Sequence, residues 1–372
     1  MSVEVRANGK VYRFWKRASV TRGMEQLAGT FELEVMPGQD DGALLELQEG
    51  TACRIALDGE TVIDGYIDHF SAGLELSGRT LRLSGRDKTC DLVDCTAQPP
   101  NQYLNQSPER ILASLLAPFG VPLVVEGDLG APFASFAIEP GETVHEAVVR
   151  LCRARGFLPI ADRRGGLRVL RPASVLEPVA IEEGENVKAA SADYDASELF
   201  SAITVKGQSA GTKDARGRIR NGAAFAATDP RVQRFRPLVV IAQGQATAAD
   251  CQRQALWEMA SRNGKALKAE ATLYGWRQAP GGKLWDIDQL VRVELPSCYV
   301  DEPLLVVGVT YTLDAEGGSE AKLSLLRREA MLPEPIDPSD ASNKKAAKGR
   351  KKKKKGQGAS GPELLPLPQY RQ

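Results

Sequence analysis

General acid–base chemistry at neutral pH most often rests on histidine, and this sequence has only two, His69 and His145. His69 follows Asp68 in an alternating, strand-like stretch. His145 falls in the first turn of a helix announced by Thr143-Val144-His145-Glu146. That tetrad is a capping box, in which Thr143 and Glu146 satisfy each other's orphan amides. Neither histidine accompanies a GxSxG elbow or a Cys-His signature. The carboxylate pairs Asp40-Asp41 and Glu182-Glu183 are sequence neighbours. Neighbours on an extended chain point to opposite faces, so they cannot flank one substrate.

Six cysteines stand at Cys53, Cys90, Cys95, Cys152, Cys251 and Cys298, with no CxxC pair. With so few histidines they read as reduced thiols rather than a zinc site. Gly73-Leu-Glu-Leu-Ser-Gly78-Arg79-Thr80 approaches a phosphate-binding loop. It carries arginine where that motif needs lysine, and it lies between strands, so it reads as a hairpin. Trp257, Trp276 and Trp285 could stack on a base or sugar, but packing is the commoner use. The expectation is no catalytic residue, no metal and no cofactor.

The elements around these residues are mostly short strands. Phe31, Leu33 and Val35 alternate with polar residues, as do Cys53, Ile55 and Leu57, and then Leu81 and Leu83. Glycine turns separate them, which points to an antiparallel barrel or sandwich. The middle changes character. Ser107-Pro108-Glu109 opens one helix, with Ser107 as N-cap. The capping box opens a second, and Gly165-Gly166 joins two apolar runs as a hairpin. A third helix is predicted from about Thr247 to Asn263, capped by Gly264. Four more strand candidates follow it.

The fold class expected is mainly β with an α+β insert. Residues 1–97 form a first barrel-like domain and 98–180 a small α/β insert. Residues 181–332 form a second barrel-like domain, with a long polar loop at 207–230. Residues 333–372 lose any apolar period and are predicted to be a disordered, basic tail.

Charge divides the same way. The formal net charge is +0, from 48 Lys+Arg and 48 Asp+Glu. The tail holds the run Lys351, Lys352, Lys353, Lys354 and Lys355, so the body is mildly acidic. An evenly mixed acidic body lacks the basic stripe of a nucleic-acid binder. The lysine run could touch DNA phosphates or an acidic protein, or stay solvated. No charged and apolar leader follows Met1, and no run reaches the roughly 18 apolar residues of a membrane span.

Several stretches carry a resemblance when taken together. Trp15-Lys16, Val20-Thr21-Arg22 and the Phe31 strand open it. Gly85-Arg86-Asp87-Lys88-Thr89-Cys90-Asp91-Leu92-Val93-Asp94-Cys95 is its most specific part. Pro140-Gly141-Glu142-Thr143 follows, then Arg231-Val-Gln-Arg234-Phe-Arg236-Pro237-Leu238. Tyr274-Gly275-Trp276 and Gly282-Lys283-Leu284-Trp285 complete it. In order and spacing the chain resembles the Mu-type baseplate hub proteins of contractile-tailed phages. It is similar more distantly to the hub portion of type VI secretion spike proteins. The lysine tail is not part of that pattern.

The resemblance implies a homotrimeric hub with two similar barrel-like domains per chain. Six barrels around one axis would join a threefold spike to a sixfold tail tube. Implied partners are the central spike, tail tube, tape-measure and other baseplate proteins, with DNA only in passage and no membrane insertion. The implied place is the virion baseplate, after assembly in the host cytoplasm. Gly85, Arg86, Asp87, Asp91, Leu92, Trp276, Gly282 and Trp285 are expected to be structural or subunit-interface residues. Gly85 is read as permitting a bend, and Arg86 as pairing with Asp87 or Asp91. Two other functions fit parts of the sequence: a tail-associated cell-wall hydrolase, and a nucleic-acid binder acting through the lysine tail.

Overall fold

The computed structural model describes residues 2–35, 46–75, 78–213, 219–314 and 318–334. Its first unit comprises β1 (Val3–Ala7), β2 (Lys10–Tyr12), β3 (Trp15–Gly23), β4 (Thr30–Val35), β5 (Ala52–Leu57), β6 (Glu60–Glu75) and β7 (Gly78–Asp87). All neighbours in it are antiparallel, in the order β3-β4-β7-β6-β5-β1-β2. Strict alternation explains the layering: Phe31, Leu33, Val20, Leu81, Leu83, Ile55 and Leu57 all face one buried core. The near-miss phosphate loop is the β6–β7 hairpin, whose ladder runs to Glu75 and Gly78.

The middle unit holds α1 (Cys90–Asp94), β8 (Gln102–Gln106), α2 (Pro108–Leu116), β9 (Leu123–Val125) and β10 (Phe133–Ala137). It continues with α3 (Val144–Arg153), β11 (Leu158–Ala161) and β12 (Leu167–Leu170). Ser107 caps α2 by accepting from the Arg110 amide, and Thr143 with Glu146 forms the expected capping box on α3. Each such cap stabilises its helix by about 1 kcal/mol. The apolar stripes of both helices close a core of their own, with Ile111, Leu112, Val148 and Leu151 fully buried. Leu92 and Leu27 belong to this core, although the expected boundary placed both in the first domain.

The last unit begins with β13 (Leu176–Glu182) and β14 (Val187–Tyr194). β15 (Ala202–Lys213), β16 (Ile219–Thr228) and β17 (Pro237–Gln245) make a separate three-stranded sheet, on which α4 (Ala248–Lys265) packs through Cys251 and Ala255. β18 (Leu267–Tyr274), β19 (Gln289–Leu295), β20 (Val300–Asp314) and β21 (Gly318–Leu326) return to the large sheet. The order there is β14-β18-β21-β20, with β19 and then β13 beyond β20. β13 and β14 lie at opposite ends of that path. Yet only the turn at 183–186 joins them, fastened by Asn186, which accepts from the Glu182 amide and donates to the Ala180 carbonyl. The sheet must therefore curl.

The two large units repeat one plan. β3, β4, β5, β6 and β7 correspond, in chain order and in space, to β14, β18, β19, β20 and β21. β6 has 16 residues and β20 has 15. In each, the fifth-strand partner covers only the first half, at 60–66 in β6 and 300–306 in β20. Each then carries a bulge at the same place, between Ile67 and His69 and between Val306 and Gly308. The units differ at one edge, where β1 runs antiparallel to β5 but β13 runs parallel to β19. The second half of β20 is the seam: it pairs antiparallel with β3 from Gly308–Gly23 to Asp314–Arg17. One thirteen-stranded sheet thus spans both units.

Three expectations change. Most of the described part of the stretch read as a loop at 207–230 is strand, because Ala223, Phe225 and Ala227 alternate along it and pack with Val205. Gly264 lies inside α4 rather than capping it; a Cβ there would meet the Ala330 amide nitrogen at 2.3 Å. β13 already belongs to the large sheet from Leu176, ahead of the expected boundary at 181. The lysine run Lys351–Lys355 lies outside the described residues.

Close approach of the paired strands β6 and β7 gives a testable contrast. A Cβ on Gly65 would stand 1.9 Å from the Arg86 carbonyl oxygen. Gly59, at φ +84°, has nothing within 4 Å. Gly65→Ala should cost about 3 kcal/mol through overpacking, and Gly59→Ala about 1 kcal/mol through backbone strain. Urea midpoints of the two variants measure the difference.

Candidate functional site

Three units meet where charge is buried. Arg22 on β3 has a side chain only 3% exposed. A guanidinium cannot be neutralised inside a protein, so it must be paired there. It donates to Asp286 on the β18–β19 connection, and through Nη2 to the Ala161 carbonyl of β11 at 2.8 Å. Arg163, on the β11–β12 hairpin, places Nε 2.7 Å from Asp286 Oδ2. It also donates to the Trp285 carbonyl at 3.2 Å. Arg277 extends the network by donating to Glu60 at 2.5 Å and to the Gly282 carbonyl at 2.7 Å. The two large units and the middle unit are thereby tied at one point.

The signature residues Trp276, Gly282 and Trp285 build that connection. Trp276 Nε1 donates to the Thr312 carbonyl at 2.9 Å, and the Trp285 amide donates to the Trp276 carbonyl at 3.0 Å. Tyr311 donates its hydroxyl to the Trp285 carbonyl, and burial pushes its pKa up. Trp276 and Trp285 are 0% and 1% exposed, so they serve the core of their own chain and not a subunit contact. Trp257 likewise donates inward, to the Leu332 carbonyl at 2.7 Å.

The Gly85–Cys95 stretch holds a second cluster. Asp87 is 1% exposed and accepts from the Gly29 amide at 2.6 Å, the Thr89 amide at 2.8 Å and the Thr89 hydroxyl at 2.5 Å. Burial raises its pKa despite these donors. Arg86 therefore finds other partners than Asp87 or Asp91: Asp68 at 2.6 Å and Asp94 at 2.8 Å. Asp91 sits in the first turn of α1, where its carbonyl accepts from the Cys95 amide. Leu92 is fully buried in the middle core. Gly85 has no left-handed backbone and lies opposite Ile67, where the β6 bulge begins. It is needed because a Cβ would lie 2.0 Å from the Tyr66 oxygen and 2.6 Å from the Phe31 ring.

The outer face of the large sheet is the third feature. One register row runs Tyr274, Glu320, Thr312, Ser19, Glu32, Ser84, His69 across both units. The flanking row runs Lys322, Thr310, Thr21, Thr30, Arg86. Apart from Tyr274, which is exposed at the end of the first row, both are polar. Opposite charges neighbour one another: Lys322 with Glu270 at 2.8 Å, Arg17 with Asp314 at 3.0 Å, Arg82 with Glu34 at 3.7 Å. A groove of about 720 Å³ lies over the seam, lined by Arg17, Ser19, Glu32, His69 and Glu320 among others. The polar members of the alternating strands announced this face, but only strand order shows that the two units share it. His145 lies away from it, in the first turn of α3, with its pKa pushed down by burial. Among the described residues no group of three His, Cys, Asp or Glu side chains could hold a metal. None of their helices is long and apolar enough to cross a membrane.

This architecture defines a mainly β structural protein of a phage tail, as four family models agree. Residues 2–87 match the N-terminal domain of Mu phage baseplate assembly protein GpP-like, and 89–171 the second domain of baseplate hub protein gp44-like. Residues 200–256 match the third domain of tail protein NMB1110-like, and 247–334 the fourth domain of the GpP model. Baseplate hub protein gp44 of Escherichia phage Mu is 35% identical over 358 residues, covering 92% of each chain. The 43 kDa tail protein of prophage MuSo2 from Shewanella oneidensis is 33% identical, with a TM-score of 0.79 over 90% of this chain and 100% of that one. The tail protein from Neisseria meningitidis MC58 shares the fold at 24% identity and a TM-score of 0.74, over 90% of this chain and 98% of that one. A type VI secretion component, c3393 of E. coli, does so at 10% identity and 0.56, over 89% and 80%. The chain belongs to the Mu-type baseplate hub family, and its place is the baseplate of a phage tail.

Two measurements test the buried charges. Asp286→Asn leaves Arg22 without its anion and should cost about 3 kcal/mol. Arg17→Ala, which removes a surface arginine 59% exposed and paired with Asp314, should cost under about 1 kcal/mol. Urea unfolding separates them. Asp229, next to α4, accepts from Arg231 at 2.8 Å and Asn263 at 3.0 Å, and the Arg231 guanidinium holds its carboxyl well below the usual range. Its stabilisation is full above the ordinary aspartate pKa of about 3.9 and fades as pH falls below it. Asp229→Asn should lose about 1–2 kcal/mol at pH 7 and less at pH 2.5, where protonation of the unfolded chain has removed part of the contribution.

Proposed function

We propose that this hub works as a homotrimeric ring that joins a threefold spike to a sixfold tail tube and leaves a channel for the tape-measure protein and DNA. The observation that carries this reading is the repeated strand plan within one chain. Three copies of a chain with two equivalent units offer six equivalent positions around an axis while keeping a threefold identity. The first unit and the last are then the two barrel-like domains of the ring. The role is geometric and asks for no catalysis. Spike, tube, tape-measure and other baseplate proteins are its partners, and assembly takes place in the host cytoplasm.

The polar sheet face suits the channel wall. DNA adheres through lysine and arginine contacts with phosphate. On this face the basic residues already have acidic neighbours, so little positive potential is left to hold a passing duplex.

Light scattering of the full chain, from micromolar to nanomolar, tests the ring. Three copies per particle with a central hole in electron micrographs is the expected result. A monomer that stays monomeric beside purified spike protein overturns the ring. For the channel, Glu32→Lys with Glu320→Lys should leave particle yield unchanged and slow DNA delivery, more so at low salt. Unaltered delivery would remove this face from the channel wall.

A further inference from the structure

The seam inside the chain has an unfilled twin. β20 takes β19 on its first half and β3 on its second. β6 takes β5 on its first half, and no strand among the described residues covers the same edge of its second half. β14, the counterpart of β3, is the end of its sheet path, with no strand beyond it among the described residues. From the matched hairpins, Asp314 corresponds to Glu75 and Gly308 to His69. From the matched neighbours, Arg17 corresponds to Ala189 and Thr21 to Asp193.

An apolar side chain marks the gap. Leu74 is 86% exposed. Its counterpart by register is Leu313, which packs against the core and lies opposite Ala18 of β3. The counterpart of Ala18 is Ala190, again alanine and only partly buried. The free edge of β6 thus presents a leucine, and the free edge of β14 presents the small residue that would cover it.

We infer that the second half of β6 in one copy pairs antiparallel with β14 of a second copy, repeating between chains the seam that β20 and β3 make within one. This rests on the ring reading above. The register follows from the internal seam: Ser71 opposite the partner's Asp193, Gly73 opposite the partner's Ser191, and Leu74 over the partner's Ala190. Thr21 and Thr310, at the position corresponding to Ser71 and Asp193, join their hydroxyls at 3.0 Å. The contact is heterologous, so it closes into a ring or runs on as a filament. It also gives two bare strand edges a partner, which free edges otherwise seek without specificity.

The test uses the full chain with Cys95→Ser and Cys298→Ser, which remove the two cysteines that are not buried. Ser71→Cys with Asp193→Cys should oxidise to covalent dimer and closed trimer, while Ser71→Cys with Ser191→Cys, out of register, should give far less. Leu74→Ser should weaken self-association about tenfold or more per interface, the effect of one leucine left in water. Because Leu74 is exposed in the single chain, its circular dichroism and urea midpoint should not move. Ser71→Glu should weaken association up to about fivefold, and Asp193→Lys should restore it. A trimer by light scattering that neither cross-links nor responds at Leu74 overturns this pairing and leaves the ring standing. A chain monomeric at every concentration, alone and with spike protein, overturns both.

Discussion

A guanidinium with almost no access to water sets the terms for this molecule. Arg22 must have an anion and a carbonyl beside it, and both come from elsewhere: Asp286 from the last unit and Ala161 from the middle one. Those groups are in place only when β3, the β11–β12 hairpin and the β18–β19 connection are already packed together. Desolvating such a charge is costly enough that a partly docked state gains nothing from it. The cluster therefore contributes specificity of docking more than raw stability. The tryptophans around it make the connection stiff enough to hold Asp286 where it is needed.

Much of the local structure was legible. Alternation at Phe31, Leu33 and Val35 gave the sheet face, and Ser107 and Thr143 gave helix starts, because both signals are written within a few residues. The resemblance found the right family, since the order and spacing of several short stretches survive sequence change. Long-range pairing was not legible. Arg86 was read against its sequence neighbours Asp87 and Asp91, whereas strand pairing brings it Asp68 and Asp94. Trp276 and Trp285 read first as packing residues and are wholly interior, but the sequence left open a subunit contact as well. The alanine-rich β16 was taken for loop because small residues carry little apolar signal of their own.

The resemblance implied two similar domains, but the residues themselves show no repeat, for a physical reason. A sheet needs only alternation, turns and a matched bulge to keep its strand order, and many sequences meet those demands. The two units share almost nothing else. The first joins β3 to β4 through residues 24–29, while the last carries β15, β16, β17 and α4 at the corresponding place. Insertion at a strand connection leaves the ladder hydrogen bonds untouched, so the plan survives a large local change.

β20 belongs to both units along a single strand, whose bulge at Val306–Gly308 marks the change of partner from β19 to β3. A hinge between the units would have to break that strand's ladder in mid-length, where its backbone bonds act side by side rather than one after another. Torque applied to one unit is therefore passed to the other as by a splined shaft, with little lost to bending. For a protein set in the path of a contracting machine, stiffness in that joint sets how much of a turn at one end arrives at the other.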